Sequence, residues 1–141
     1  MTTLADRPET PPPEATPRVV LLVDDNADIR AMLGRALRRC GCAVLEAPGG
    51  AEALALARAL AGPLDLLVAH LLMPRMTGPE LATRVRALHP GVRVLYFSGE
   101  VDAELLPRAF GAPADPVLRK PFRLEQVAAR ILALLGKPGP S

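Results

Sequence analysis

The fold of this chain is decided by the stretch VVLLVDD, which spans residues 19–25. Five aliphatic residues in a row, with no polar residue between them, are typical of a parallel strand that is buried on both faces. Asp24 and Asp25 follow at once, where the strand ends. Open sheets of this kind bind ligands at the carboxyl ends of their strands, so we expect both carboxylates to face a ligand.

Outward from this stretch, strand-like and helix-like segments alternate five times. Short apolar runs predict the other strands at residues 43–46, 64–69, 92–97 and 117–119. Apolar residues at helical spacing predict a helix after each strand, although Pro107 should bend or shorten the one near residues 101–110. Pro79 fits the first turn of the third helix, where its missing N–H is harmless. The alternation predicts an α/β fold in which helices cover both faces of a parallel sheet.

Length and composition fit one folded domain with two flanking segments. The chain has 141 residues, and half of them are hydrophobic, which is enough to bury a core. Residues 1–17 are rich in proline and poor in apolar side chains, so we expect a disordered leader. The domain is expected over residues 18–136, and a flexible tail over residues 137–141.

Composition also argues against several classes of protein. The net charge is +2 and Lys and Arg are scattered, so we expect no direct nucleic-acid binding. No apolar stretch approaches the roughly 18 residues of a membrane span, and the N-terminus lacks a signal pattern, so we expect a cytoplasmic protein. Cys40 and Cys42 are too close for an unstrained disulfide, and no second Cys/His pair completes a metal site. We expect them to act as small hydrophobes at a turn between helix and strand.

Polar residues also mark the ends of the later strands. His70 ends the third, Ser98 follows the fourth, and Lys120 follows the fifth. The two adjacent carboxylates can supply hard oxygen ligands to Mg²⁺, which takes few protein ligands. The Lys120 ammonium suits a phosphoryl oxygen, and the Ser98 hydroxyl stands beside the small Gly99. These residues predict a site for a cation and a phosphoryl group, with His70 as its unusual member.

The motifs that contain these residues resemble the receiver domains of two-component response regulators, and the resemblance covers residues 18–135. Four motifs stand in the expected order, at residues 20–25 with Arg30, 73–81, 94–99 and 119–122. The resemblance implies a doubly wound, five-stranded, flavodoxin-like (βα)5 fold. It also implies that a phosphoryl group passes from a sensor histidine kinase to an aspartate of this domain.

The same resemblance implies a role for each polar residue. Asp24 and Asp25 would bind Mg²⁺. Ser98 would be the switch hydroxyl. Lys120 would be the phosphate partner, with a cis bond to Pro121.

Two positions depart from the family pattern. The family's acceptor aspartate stands three residues before the Met73-Pro74 pair, and here that position holds His70. Receivers commonly carry an aromatic residue three positions before the lysine, and here that position holds Val117. Asp65 cannot replace the acceptor, because five residues of strand at about 3.3 Å each place it roughly 16 Å away.

Several interpretations of His70 stay open at this point. Its imidazole could accept a phosphoryl group, which would make the protein a relay or a slow autophosphatase. It could join Asp24 and Asp25 in a site for zinc, copper or nickel, which imidazole suits. It could also fill the pocket and, when protonated, place a positive charge near the carboxylates in place of the cation. Asp25 is another atypical acceptor, although its phosphorylation would remove a metal ligand.

We therefore expect a degenerate receiver that acts by protein contact, with little or no ordinary aspartyl phosphorylation, and not an enzyme beyond self-phosphorylation. The chain has no recognisable output domain, so the message would pass to a sensor histidine kinase or another signalling protein. The expected surface is formed by the fourth helix, fifth strand and fifth helix, and the same face would serve a homodimer. A haloacid-dehalogenase-like phosphatase is disfavoured, because it would need an aspartate two residues after the first, where Asn26 stands.

Overall fold

The computed structural model describes residues 17–98, 117–119 and 123–135. Five strands form one sheet: β1 Val19–Val23, β2 Ala43–Ala47, β3 Leu66–His70, β4 Arg93–Ser98 and β5 Val117–Arg119. Every pairing is parallel, and the order across the sheet is β2-β1-β3-β4-β5. This is the doubly wound, flavodoxin-like order, in which the strand order reverses between β1 and β3. The predicted fold class is confirmed.

Helices lie between and after the strands: α1 Ala27–Arg39, α2 Gly50–Ala59, α3 Gly78–Leu88 and α4 Leu124–Leu134. Among the described residues, α4 corresponds to the last helix predicted from the sequence. The helix predicted near residues 101–110 lies outside the described residues. So do residues 1–16 of the predicted leader and the whole of the predicted tail.

The side chains of β1 show why its sequence has no polar alternation. Leu21 and Val23 belong to a core cluster on the side of the sheet that α2 and α3 cover. Val20 and Leu22 belong to a second cluster on the side that α1 and α4 cover. All four are fully buried, because both faces of the strand are packed against helices.

Strand β3 begins two residues later than predicted, at Leu66 rather than Leu64. Leu64 is still buried, so the apolar pattern alone could not distinguish it from a strand residue. Between them, Asp65 accepts a hydrogen bond from the amide of Val19 through Oδ2, at 2.8 Å, and its carboxylate lies 3.8 Å from Arg18. Asp65 therefore stands at the amino edge of the sheet, opposite His70, as predicted.

The two cysteines were predicted to be small hydrophobes at a turn, and one of them fits that description. Cys42 is buried in the core cluster of α1 and α4, while Cys40 is exposed at the end of α1. Both are free thiols. Burial, followed by the neighbouring Cys40, raises the pKa of the Cys42 thiol. The thiol is thus held in its protonated form, which is neither a redox nucleophile nor a metal ligand.

Candidate functional site

The register of the sheet brings three of the predicted polar residues to one edge. Val23 is paired with Ala69, so Asp24 on β1 and His70 on β3 each stand one residue beyond that pair. His70 is in turn paired with Phe97, and Ser98 follows Phe97 on β4. Successive carboxyl ends therefore place Asp24, His70 and Ser98 side by side, at the point where the strand order reverses.

The acidic pair combines a buried carboxylate with an exposed one. Asp24 is buried, its amide donates to the carbonyl of Ala47 at 3.2 Å, and its Oδ1 accepts the amide of Asn26 at 2.9 Å. Asp25 is exposed and lines a cavity of about 260 Å³. The cavity lies between the start of α2 and the loop that follows β3. The first carboxylate is thus fixed by main-chain contacts, and the second faces an open space.

The loop between these carboxylates and α1 is shaped by a helix cap. Asn26 precedes α1, and its side-chain oxygen accepts the amides of Asp28 and Ile29 at 3.0 and 3.1 Å. Such a cap satisfies two of the amides that a helix leaves without partners at its start. The chain therefore turns from strand to helix directly after the acidic pair, which holds the pair at the edge of the sheet.

His70 is partly buried and its ring is held by the loop that follows it. Its Nδ1 lies 2.7 Å from the carbonyl oxygen of Leu72. A carbonyl oxygen only accepts hydrogen bonds, so Nδ1 must carry the proton in this contact. In the neutral ring, the other nitrogen, Nε2, then holds the lone pair.

The loop after His70 is compact and closely packed. The amide of Leu71 donates to Phe97, and the amide of Gly78 donates back to Leu71, both at 2.8 Å. Gly78 is required here, because a Cβ at this position would lie 2.8 Å from the carbonyl oxygen of His70. The backbone of α3 thus begins directly against the residue that ends β3.

The rest of this loop combines a strained residue, a close side-chain contact and a helix cap. Arg75 has a φ of 72°, the left-handed region that costs a non-glycine residue about 1 to 2 kcal/mol. Met76 packs against the first turn of α2 so closely that a Cβ on Gly50 would lie 2.5 Å from its sulfur. A capping box between Thr77 and Glu80 then starts α3, with Pro79 in the first turn as predicted.

Of the remaining predicted site residues, Ser98 and Val117 lie in the described part of the chain. Ser98 ends β4 and is fully buried. Val117 is half-buried, is paired with Tyr96 across β4 and β5, and packs against the core cluster of α2 and α3. Lys120, and with it the predicted cis bond to Pro121, lies outside the described residues.

The described residues contain no group of three His, Cys, Asp or Glu side chains that could hold one metal ion. The interpretation of His70, Asp24 and Asp25 as a three-ligand transition-metal site therefore gains no support. Two adjacent carboxylates remain a donor set that suits Mg²⁺, which usually takes one or two carboxylates and keeps several waters.

Sequence reasoning assigned no role to a group of charged residues beside the acidic pair. Arg30, noted only as part of a motif, donates to the carbonyl oxygen of Asp24 at 2.6 Å. Glu46 on β2 faces both Arg30 and Arg38 of α1. The only signal in the sequence was an acidic residue at the end of an otherwise apolar strand, and its partners become visible only once the strand order is known.

A sequence model of the response regulator receiver domain matches residues 20–132. The match covers most of the chain, so the chain belongs to this family. It is a receiver domain of two-component signalling, a class of modules that are in general not enzymes and that interact with histidine kinases or phosphotransfer proteins.

Individual relatives agree with this assignment. The chain is 37% identical over 121 residues to the sensor kinase CckA of Brucella abortus, and the match covers 84% of this chain and 12% of CckA. It is 34% identical over 117 residues to the response regulator receiver protein CpdR of the same species, and this match covers 82% of this chain and 95% of CpdR. Several other curated relatives are about twice as long as the matched region.

The solved structures show the same fold. The crystal structure of the receiver domain from the hybrid histidine kinase CckA is 31% identical, with a TM-score of 0.68 over 83% of this chain and 98% of that domain. No helix in the described part of the chain is long and apolar enough to cross a membrane.

Proposed function

We propose that this chain is a degenerate receiver that acts in the cytoplasm by protein contact, with little or no ordinary phosphorylation of an aspartate. The proposal rests on the residue at the end of β3. His70 stands three residues before Met73-Pro74, where the family pattern has its acceptor aspartate. An imidazole cannot form the acyl phosphate that a carboxylate forms, so the ordinary product of a receiver is excluded at this position.

The observation that carries the proposal is the hydrogen bond from His70 Nδ1 to the carbonyl oxygen of Leu72, at 2.7 Å. An aspartate could not replace it, because an ionised carboxylate and a carbonyl both accept hydrogen bonds and neither donates. Such a pair of acceptors needs a cation or a proton between them. His70 supplies that proton from Nδ1, so its contact with the carbonyl oxygen of Leu72 needs no bound ion.

The acidic pair would still hold Mg²⁺, an ion that receiver domains typically bind at the phosphorylation site. When bound, Mg²⁺ supplies positive charge that offsets the phosphoryl oxygens. Asp24 and Asp25 would be its ligands, with Lys120 as the phosphate partner and Ser98 as the switch hydroxyl. Binding should be weak, because the family's acceptor carboxylate is replaced beside this pair by His70, whose Nδ1 is a hydrogen-bond donor.

The second departure from the family pattern, Val117 in place of an aromatic residue, concerns how the site is coupled to the protein surface. Val117 is aliphatic and is already packed against the core, next to Tyr96. Val117 therefore provides no aromatic ring that could change position when the Ser98 hydroxyl binds a phosphoryl group. Coupling between Ser98 and the surface should therefore be weak, which favours a protein whose contacts do not depend on phosphorylation.

The partner would be a sensor histidine kinase or another signalling protein. The proposed contact face is the one expected from the sequence: the fourth predicted helix, which lies outside the described residues, together with β5 and the fifth predicted helix, α4. The same face would serve a homodimer. Direct binding to nucleic acid is not part of the proposal, because the net charge is only +2.

Incubation with acetyl phosphate and Mg²⁺, followed by intact mass measurement, tests the proposal. We expect no stable adduct on the wild-type chain and one phosphoryl group on His70→Asp, because the rest of the pocket is retained. His70→Asn is the matched control, since it removes the imidazole without adding a carboxylate, and it should stay unlabelled. A stable adduct on the wild-type chain would contradict the contact-only function.

A second candidate function is phosphorylation of an atypical acceptor. The Leu72 contact favours His70 over Asp25, because it leaves the lone pair of the neutral ring on Nε2. The two products differ chemically. A phosphohistidine is lost in acid but survives base, whereas an acyl phosphate on Asp25 is lost in both, so survival of a wild-type adduct in base identifies His70 as the acceptor.

A further inference from the structure

The peptide unit that joins Asp24 to Asp25 is held by a side chain of α1. Arg30 donates from its guanidinium to the carbonyl oxygen of Asp24, at 2.6 Å. A peptide unit is planar and nearly rigid, so fixing its oxygen also fixes the directions of the two Cα atoms that it joins. Arg30 thus acts on the relative orientation of the two carboxylates through the main chain that joins them.

The need for this contact differs between the two aspartates. Asp24 is already held through its amide, which donates to Ala47, and through Oδ1, which accepts from Asn26. Asp25 is exposed and lines the cavity at the edge of the sheet. The position of the Asp25 carboxylate therefore depends more strongly on the peptide unit that Arg30 holds.

Arg30 is itself oriented by an anchor on β2. Its Nε lies 3.6 Å from Oε1 of Glu46, and both side chains are mostly buried, with 18% and 25% of their surface exposed. The other oxygen of Glu46 is 2.9 Å from Arg38, which also donates to the carbonyl of Val44 at 3.0 Å. One carboxylate is therefore shared by two guanidinium groups, and each group is also bonded to a main-chain carbonyl.

The helix is shaped to admit this anchor. A Cβ on Gly34 would lie 2.7 Å from Oε2 of Glu46, so only glycine lets the carboxylate approach α1 this closely. Gly34 is buried in the middle of α1, where glycine costs about 1 kcal/mol relative to alanine. The close approach of Glu46 is a physical reason for a glycine at this position.

We propose that Arg30 is a positioning residue for the acidic pair, and that Glu46 holds Arg30 in place. The assignment rests on the proposed function in one respect, the role of Asp24 and Asp25 as cation ligands. It predicts that loss of Arg30 lowers the affinity for a divalent cation through misplacement of Asp25. The fold itself should persist, because Asp24 keeps its own main-chain contacts.

Mn²⁺ is a suitable probe, because free and bound Mn²⁺ are distinguished by electron paramagnetic resonance. The titration is made on the 141-residue chain with His70→Asp, which places a carboxylate at the end of β3 beside the acidic pair. Adding Arg30→Gln should weaken Mn²⁺ binding by about 10-fold or more, the size of effect that outer contacts of metal ligands show. Adding Arg39→Gln, which removes an exposed charge from the same helix, should change the affinity less than about two-fold because of solvent screening.

Two further variants guard against a simple loss of folding. Glu46→Gln keeps Arg30 but weakens its anchor, and it should give a smaller loss of affinity than Arg30→Gln. Arg30→Lys keeps the charge without the planar fork and should recover only part of the affinity. Thermal unfolding of each variant checks that the domain is folded at the temperature of the titration.

The outcomes separate this assignment from the proposed function. Equal affinities for the Arg30→Gln and Arg39→Gln variants would overturn the positioning role alone. Absence of Mn²⁺ binding to His70→Asp at millimolar concentration would overturn both the positioning role and the cation site. Failure of the contact-only function appears instead as phosphoryl labelling of the wild-type chain, which these titrations do not involve.

Discussion

Asp65 precedes the first residue of β3, and His70 is the last residue of the same strand. The carboxylate of Asp65 is used by the fold: it accepts the amide of Val19, and Arg18 lies 3.8 Å away. Its backbone continues the ladder, with its amide bonded to Val19 and its carbonyl to Arg93. At the amino edge, the Asp65 carboxylate thus joins the start of β1 to the start of β3.

The carboxyl edge is built differently. There, Asp24 and Ser98 are buried polar residues, Asp25 faces a cavity, and Arg75 has a left-handed backbone. Strain and buried polar groups are costly, and proteins retain them mainly where a site requires them. The comparison indicates that two residues at opposite ends of one strand cannot be judged by type alone: the aspartate is structural, and the histidine lies in the candidate site.

The largest expected change comes from Gly78→Ala at the carboxyl edge. The added Cβ would lie 2.8 Å from the carbonyl oxygen of His70, a main-chain atom that cannot rotate away. We expect a loss of about 3 kcal/mol in the free energy of unfolding, the upper end of the usual cost of overpacking. Urea denaturation measures this loss.

Gly91→Ala is the matched control, because nothing lies within 4 Å of a Cβ at that position. It should change stability by less than about 0.5 kcal/mol, as surface substitutions usually do. Equal losses for the two variants would mean that the close approach of α3 to β3 is not a constraint on the loop.

At the amino edge, Asp65→Ala should lower the free energy of unfolding by about 2 kcal/mol, the value typical of a hydrogen bond to a charged group. It removes the acceptor of the Val19 amide and the partner of Arg18. In the His70→Asp background, Asp65→Ala should leave acetyl phosphate labelling unchanged. A loss of labelling in a variant that is still folded would contradict the purely structural role of Asp65.

The smallest expected effect concerns the pH dependence of stability at the amino edge. Burial raises the pKa of the Cys42 thiol above its ordinary value of 9.0, so the folded chain keeps a proton that the unfolded chain loses. This contribution is complete below the pKa of the unfolded thiol, and it is lost as pH rises from there towards the folded pKa. Chemical denaturation between pH 7 and about 10 should show a steeper alkaline decline for wild type than for Cys42→Ala.

Cys40→Ala is the control for this measurement, because Cys40 is exposed. Its stability should fall with pH almost as steeply as that of the wild type. Parallel curves for wild type and Cys42→Ala would show that the Cys42 thiol makes no such contribution.

Much of the fold could be predicted because each decisive signal is local. The unbroken apolar run of β1 predicted burial on both faces, and the end of that run placed Asp24 and Asp25 at the carboxyl edge. The end of the third run likewise placed His70 beside them. The start of β3 was predicted two residues early, because Leu64 is buried like a strand residue while Asp65 bonds to the neighbouring strand.

The parts that could not be predicted depend on contacts between distant segments. Glu46 is an acidic residue in an otherwise apolar strand, but its sequence neighbours do not indicate that two arginines of α1 will share its carboxylate. The same is true of Met76, a loop residue that packs against Gly50 at the start of α2. The contact between His70 and Leu72 is local in sequence, but it depends on the loop conformation that Gly78 and Arg75 permit.

The central claim is that Nδ1 of His70 donates a hydrogen bond to the carbonyl oxygen of Leu72, a contact that an ionised aspartate could make only through a cation. Nitrogen NMR of histidine-labelled protein measures it most directly, because the shifts of Nδ1 and Nε2 show which nitrogen carries the proton. His70→Asn assigns the His70 signals by their absence. The account predicts a protonated Nδ1 in the metal-free protein, hydrogen-bonded to Leu72. A neutral His70 ring with its proton on Nε2 alone would contradict it.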